Sequence, residues 1–260
     1  MHRIAARAIA LVGCLAALAL TGCATPGSGP DGDKDALNNA IATDHVAPIR
    51  GAIQTGALTP NSSISTPGYP DGAPLLAIAA RVAALEVMRF LISAGADLNA
   101  RTPVHETPLM LAAFFFDESE QGPQAFDRHE KAVRLLVTSG ADLENYPGYY
   151  TPLAYAAYRG NERVVRYLIE RGANVNSGAG RGGAYSNTPL MMAAIQGHES
   201  IVMLLLRAGA DADIRILGGH NAAELAAKYN HRRLAQIIQC AQRQYGAAGP
   251  ECRQILGSAR

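Results

Sequence analysis

The chain of 260 residues has almost no excess charge: 23 Lys and Arg stand against 22 Asp and Glu, a formal net charge of +1. Such a balance gives no electrostatic footprint for nucleic acid or for anionic lipid headgroups. Metal signatures are missing too. The four cysteines form no CxxC pair or Cys/His cluster with zinc spacing, and the acidic run Asp117 to Glu120 lacks the spacing of a calcium loop. The glycine-rich stretch GAGRGG, 178–183, has no Lys-Ser/Thr of the kind that cradles phosphate. Of the seven histidines, His105 beside Glu106 and His45 beside Asp44 are isolated pairs with no nucleophile at recognisable spacing. No catalytic residue, metal or cofactor is therefore expected. Past the first 22 residues, no apolar run approaches a membrane span.

What is present is repetition, on a chain whose 48% hydrophobic content can fill a core. Helix-like stretches end at Gly95-Ala96-Asp97, Gly140-Ala141-Asp142, Gly172-Ala173-Asn174 and Gly209-Ala210-Asp211, with a degraded copy at Gly56-Ala57-Leu58. After each full copy a variable loop leads to a new start, as at Thr107-Pro108-Leu109, Thr151-Pro152-Leu153 and Thr188-Pro189-Leu190. A recurring unit of this size signals a stacked array. The best-formed copy is 151–176. Thr151 can cap a helix and Pro152 suits its first position, where a missing N–H is harmless. Leu153, Ala156 and Ala157 make a narrow apolar face that another helix can approach closely. Gly160-Asn161 turns the chain, Val164, Val165, Leu168 and Ile169 follow helical spacing, and Gly172 ends the second helix.

Thr-Pro-Leu, the alanine pair, the Gly-Ala-Asp/Asn end and the spacing together resemble the ankyrin repeat, a helix–turn–helix with a protruding finger. The resemblance implies an all-α solenoid. Starts at 74, 107, 151, 188 and 221 lie 33, 44, 37 and 33 residues apart, against a family period of 33. Two intervals thus carry insertions. One lies in the turn between Ala113 and Ala132; the other, Ser177 to Ser186, enlarges a finger. His129, His198 and His231 fall in the turns before second helices. The stretch 58–73 reads as a long first finger. Six units spanning 36–245 are expected, the first and last acting as caps.

Residues 1–22 read as a secretion signal, with Arg3 and Arg7 ahead of the apolar run Ala8 to Leu20. Leu20-Thr21-Gly22-Cys23 resembles a bacterial lipobox, which implies cleavage before Cys23 and acylation of its thiol; an ordinary signal with an incidental cysteine is the competing reading. Several acyl chains make a stable anchor. Ala24 in place of Asp points to the outer membrane, on its periplasmic side. Residues 23–35 read as the lipidated cysteine and a flexible tether, and 246–260 as a tail. In an oxidising compartment the remaining pair, Cys240 and Cys252, suggests a disulfide, with two free thiols as the alternative. Cys240 aligns with Glu170, an outward position, so packing gives it no reason to be cysteine.

Aromatics gather in the middle: Phe114, Phe115, Phe116, Tyr146, Tyr149, Tyr150, Tyr155 and Tyr158. Tyr155 holds a core offset equivalent to Leu111 and Met192. The others occupy fingers or follow an alanine pair, positions that in ankyrin proteins line the concave face. Phe and Tyr are effective interface anchors; packing beneath the insertion is the competing role for Phe114 to Phe116. The expected binding surface comprises Phe114, Phe115, Tyr146, Tyr149, Tyr150, Tyr158 and Tyr185, flanked by Arg101, Glu106, Arg159 and Arg181. The expected function is non-catalytic: a monomeric scaffold or accessory that binds another periplasmic or envelope protein and touches the membrane only through its lipid. An immunity protein against a periplasmic toxin is the alternative, and a cell-wall hydrolase a more distant one.

Overall fold

A computed structural model describes residues 30–114, 123–144, 150–178, 186–216 and 219–244. Among them twelve helices form six antiparallel pairs: α1 (Pro30–Ala42) with α2 (Val46–Gln54), α3 (Leu75–Arg81) with α4 (Leu85–Ser93), α5 (Pro108–Phe114) with α6 (Pro123–Thr138), α7 (Pro152–Arg159) with α8 (Glu162–Glu170), α9 (Pro189–Gln196) with α10 (Glu199–Arg207), and α11 (Ala222–Lys228) with α12 (Arg232–Gln244). The first helices stack closely on one another along the array and the second helices stack more loosely outside them. The fold is an all-α solenoid.

The two layers differ because they are covered differently. Inner helices are sandwiched between neighbouring units and their own outer partner, so Leu75 to Ala80 of α3 and Pro108 to Ala113 of α5 are buried without interruption. Outer helices bury one stripe, as with Val164, Val165, Tyr167 and Leu168 of α8, and turn Arg163 and Arg166 to water. The inner helices begin as their sequences dictate. Thr151 and Thr188 accept the N–H of Ala154 (3.2 Å) and Met191 (3.3 Å), and Asn221 forms a reciprocal capping box with Glu224.

The turns interlock successive units. Gly160 and Gly197 end inner helices at φ of 79° and 77°. A Cβ there would stand 2.8 Å from the ring of His198 and 2.5 Å from that of His231, each in the next unit. Those rings bond to the carbonyls of Tyr158 and Ile195, both at 3.1 Å. His129 differs: its ring bonds the Ala112 carbonyl of its own unit, at 3.1 Å. It was expected in a turn, and it lies inside α6. The insertion after Ala113 is partly helical: Pro123 opens a 16-residue outer helix where α4, α8 and α10 have nine. The Ser177–Ser186 insertion lies partly outside the described residues.

Fingers are joined by a hydrogen-bond ladder that explains the repeated Gly-Ala-Asp. The backbone N–H of the residue after Gly-Ala in the four full copies donates to a side chain of the preceding finger: Asp97 to Asn61 (2.7 Å), Asp142 to Asn99 (3.0 Å), Asn174 to Glu144 (2.8 Å) and Asp211 to Asn176 (2.8 Å). The Asp or Asn side chain in turn accepts the N–H two residues on, at Asn99, Asn176 and Asp213. The ladder ends where Gln242 of α12 donates to Asp213 at 2.7 Å.

The ends depart from the regular pattern. Helix α1 begins at Pro30, within the stretch read as tether. At the turn after it, the Asp44 carboxylate accepts the N–H groups of Glu86 (2.9 Å) and Val87 (3.0 Å), capping α4 with a negative charge at its positive end. The first finger forms an antiparallel hairpin of β1 (Ser63–Thr66) and β2 (Tyr69–Pro74), pairing Ser63 with Pro74, Ile64 with Ala73 and Thr66 with Tyr69. At the other end Cys240 is buried at 6% exposure, which corrects the outward position expected for it. Helix α12 continues to Gln244, so Cys240 lies mid-helix, whereas its counterpart Glu170 ends α8.

Replacing Asn176 with Ala removes one rung and should destabilise the protein by about 1 kcal/mol, whereas Leu168→Ala, which empties a fully buried site, should cost about 2–5 kcal/mol. Urea unfolding of the two variants checks the order.

Candidate functional site: the inner rim of the array

Alanine pairs on the inner helices face neighbouring units, so the two residues after each pair escape burial and form a rim. Unit by unit these are Arg81 and Val82, Phe114 and Phe115, Tyr158 and Arg159, Ile195 and Gln196, then Lys228 and Tyr229. Of them Phe115 lies outside the described residues. Phe114, Tyr158 and Arg159 are half-buried, and Val82 and Tyr229 are exposed.

An aromatic cluster occupies the middle of this rim. The Phe114 ring meets Tyr155 edge-on at 4.8 Å between centroids and stacks on Tyr158 at 6.1 Å. Tyr150, from the loop before α7, tilts against Tyr155 at 5.6 Å. Arg159 lies over the Phe114 ring at 5.4 Å, a cation–π contact. The cluster is seated on Glu106. Its carboxylate accepts a hydrogen bond from the Tyr69 hydroxyl at 2.5 Å and a long one from Tyr155 at 3.5 Å, while its backbone N–H donates to Thr102 Oγ1 at 3.1 Å. Arg81 packs over the Tyr69 ring at 5.6 Å and against the hairpin turn at Gly68. One carboxylate thus ties the first finger, the second finger and the inner helix α7.

Burial governs the titration of this network. Desolvation raises the Glu106 carboxyl above the usual range, opposed by hydrogen bonds from Tyr69, Tyr155 and Thr102 and by the charge of Arg81. Desolvation and the Glu106 charge push the Tyr69 and Tyr155 hydroxyls up, so both stay protonated donors. Tyr150 is raised by burial and by its neighbours Tyr158 and Tyr229.

Of the expected binding residues, Phe114, Tyr150, Tyr158 and Arg159 are brought together. Glu106 lies beneath them, engaged with its own chain, and Arg101 is exposed on the second finger. Phe115, Tyr146, Tyr149, Arg181 and Tyr185 lie outside the described residues, as do Cys23 and Cys252. Sequence reasoning passed over Tyr69, Arg81 and Tyr155. Arg81 was findable, since it follows Ala79-Ala80 in the register of Phe114 and Tyr158. Tyr155 was read as core because its equivalents are apolar; its hydroxyl has a second role that spacing does not show. Among the described residues no group of three or more His, Cys, Asp or Glu is placed to hold a metal ion, and no helix is long and apolar enough to cross a membrane.

Stacked helix pairs with projecting fingers and a part-exposed inner rim define a repeat solenoid of the kind that binds other proteins. The family is shown by two matches, ankyrin repeats (3 copies) over residues 76–179 and ankyrin repeats (many copies) over 153–206. The protein carries ankyrin repeats. It is also similar to the transient receptor potential cation channel subfamily A member 1 homolog of Caenorhabditis elegans, 30% identical over 105 residues. That alignment takes in 40% of this chain and 8% of the channel homolog, so the chain spans a small part of that relative.

Glu106→Gln should change how stability depends on pH. A carboxyl whose folded pKa is raised stabilises the fold fully below its unfolded pKa of about 4.3, and that contribution is lost as pH rises through the folded value. The melting temperature of the Gln variant relative to wild type should therefore climb as pH increases across this window. A pH-independent difference would mean that Glu106 is not desolvated.

Proposed function

We propose that this ankyrin array is a non-catalytic scaffold or accessory lipoprotein of a bacterial envelope, which binds another envelope protein through its concave rim. The observation that carries the binding site is the cluster of Phe114, Tyr150, Tyr155, Tyr158 and Arg159 on the inner side of the middle units. Half-buried aromatics held by one another lose little entropy on binding and offer large contact area. Ankyrin repeats as a family serve protein–protein interaction, which supports a protein partner in place of a small-molecule substrate. Arg101, Arg181, Phe115, Tyr146, Tyr149 and Tyr185 complete the surface in this reading.

The anchor is Cys23, acylated after removal of residues 1–22, with the array facing the periplasm from the outer membrane. Its support is the order of the sequence: two arginines, an apolar run and Leu20-Thr21-Gly22-Cys23. An oxidising compartment also suits a Cys240–Cys252 disulfide closing the last unit. Cys240 is buried and engaged on α12, as a cysteine tying down that end would be.

Cys23→Ser should move the protein from the membrane to the soluble fraction of the cell envelope; retention in the membrane would overturn the anchor. In affinity capture from envelope extracts, Tyr150→Ala/Tyr158→Ala should lose a partner that wild type retains. Identical partner sets would remove the rim as the binding site.

A further inference from the structure

Outer helices repeat one exposed cation until the last junction of the array. Arg50, Arg89, Arg134 and Arg166 hold the same position in α2, α4, α6 and α8, six residues before the glycine that ends each unit, and all are exposed. Two of them reach across to the next outer helix: Arg50 lies over the Phe90 ring at 5.2 Å and Arg134 over the Tyr167 ring at 4.2 Å. Helix α10 places Met203 at this position, half-buried, as is Leu206 one turn on. The register that sets Arg50 on Phe90 and Arg134 on Tyr167 sets Met203 toward Ile237 of α12. The junction of α10 and α12 is thus apolar where the earlier ones carry a cation.

Ile237 and Cys240, a turn apart on α12, are also covered more fully than stacking explains. Ile237 is fully buried, while Phe90, Leu135 and Leu204 in its register are half-buried. Counterparts of Cys240 are Ser93, Thr138, Glu170 and Arg207, and all four are exposed; Cys240 is buried and engaged. The longer α12 shelters Cys240 along its axis, but Ile237 has the same helix around it as its counterparts do. Among the described residues no helix pair follows α12 to add cover.

The sequence beyond Gln244 supplies an occupant. Gly246, Gly249 and Pro250 favour a reversal of the chain, and Cys252, Ile255 and Leu256 follow. Cys252 lies 8 positions past Gln244, a reach of about 26 Å at about 3.3 Å per residue, against about 6 Å of helix to retrace from Gln244 to Cys240. Resting on the Cys240–Cys252 reading, we propose that segment 246–260 is a strap across the outer junction of α10 and α12, with Ile255 and Leu256 seated on Met203, Leu206 and Ile237. Closing the bond takes two electrons and two protons from the two thiols and passes them to an exchanging disulfide of an oxidising compartment, itself reduced to two thiols. The bond sets the register of the strap and the apolar pair covers the strip. The concave rim, on the side of the inner helices, stays open.

A photo-crosslinking benzoylphenylalanine in place of Ile255, in the detergent-purified full chain, tests the seat. Irradiation should join position 255 to peptides of α10 or α12 within one molecule. Ile255→Ser/Leu256→Ser, which keeps both cysteines, should speed amide hydrogen exchange in α10 and α12 by about tenfold or more and leave α4 unchanged. Peptide maps without reductant are read alongside. Crosslinks on the strip with no Cys240–Cys252 peptide would uphold the strap and overturn the disulfide. The disulfide peptide with crosslinks elsewhere, on the inner helices or the fingers, would overturn the strap and keep the disulfide. Crosslinks between two molecules would assign the strip to a second copy and sink the proposal. Exchange unchanged in the Ser variant would mean that the pair covers nothing, and would sink it equally.

Discussion

The inner helices from α3 to α11, of seven or eight residues each, are too short to persist in water, and the whole structure depends on that constraint. Each is stable only when covered by a helix before it, a helix after it and its own outer partner. Stacking is therefore the source of stability, and every regular feature of the repeat serves it. Alanine pairs set the close approach, Gly160 and Gly197 make room for the imidazoles of the next unit, and side chains of each finger receive the backbone N–H of the following one. The same dependence explains the ends. A unit without a neighbour needs something else, and Asp44 at the N-terminus of α4 and Gln242 on Asp213 act at these two margins.

The candidate site is a by-product of that stacking. Because packing claims every other face of the inner helices, the residues after the alanine pairs are the ones left to vary without breaking the core. In the middle units they are Phe114, Tyr158 and Arg159, and the network below them holds their rings in place. Glu106 is a structural carboxylate in this arrangement. Its hydrogen bonds reach residues 37 and 49 positions away, and they fix the first hairpin against the inner helix α7. The rim is shaped by long-range polar contacts even though the array itself is built from local ones.

Much of the fold was legible because its signals are local and repeated. Thr151 and Thr188 cap the helices that their Thr-Pro-Leu sequences announce, and the Gly-Ala-Asp endings mark where outer helices stop. Irregular segments were harder to read. The insertion after Ala113 looked like a loop, yet Pro123 starts a long helix, since its opening sequence PQAFDRHE has few apolar residues and leaves a weak periodic pattern. Cys240 was placed outward by alignment with Glu170, but the last outer helix continues past that point and buries it. Tyr155 looked like core because position alone says nothing about where a hydroxyl points.

By itself the sequence determined the number of units, their helical type, the alanine-lined contacts and the rim positions, because each follows from spacing within about one unit. Tertiary structure alone decided which side chains meet across units: Glu106 with Tyr69 and Tyr155, His198 with Gly160, and each finger with the next. Those contacts join residues some 30 to 50 positions apart, and no local pattern encodes the direction of a side chain at the far end of such a loop.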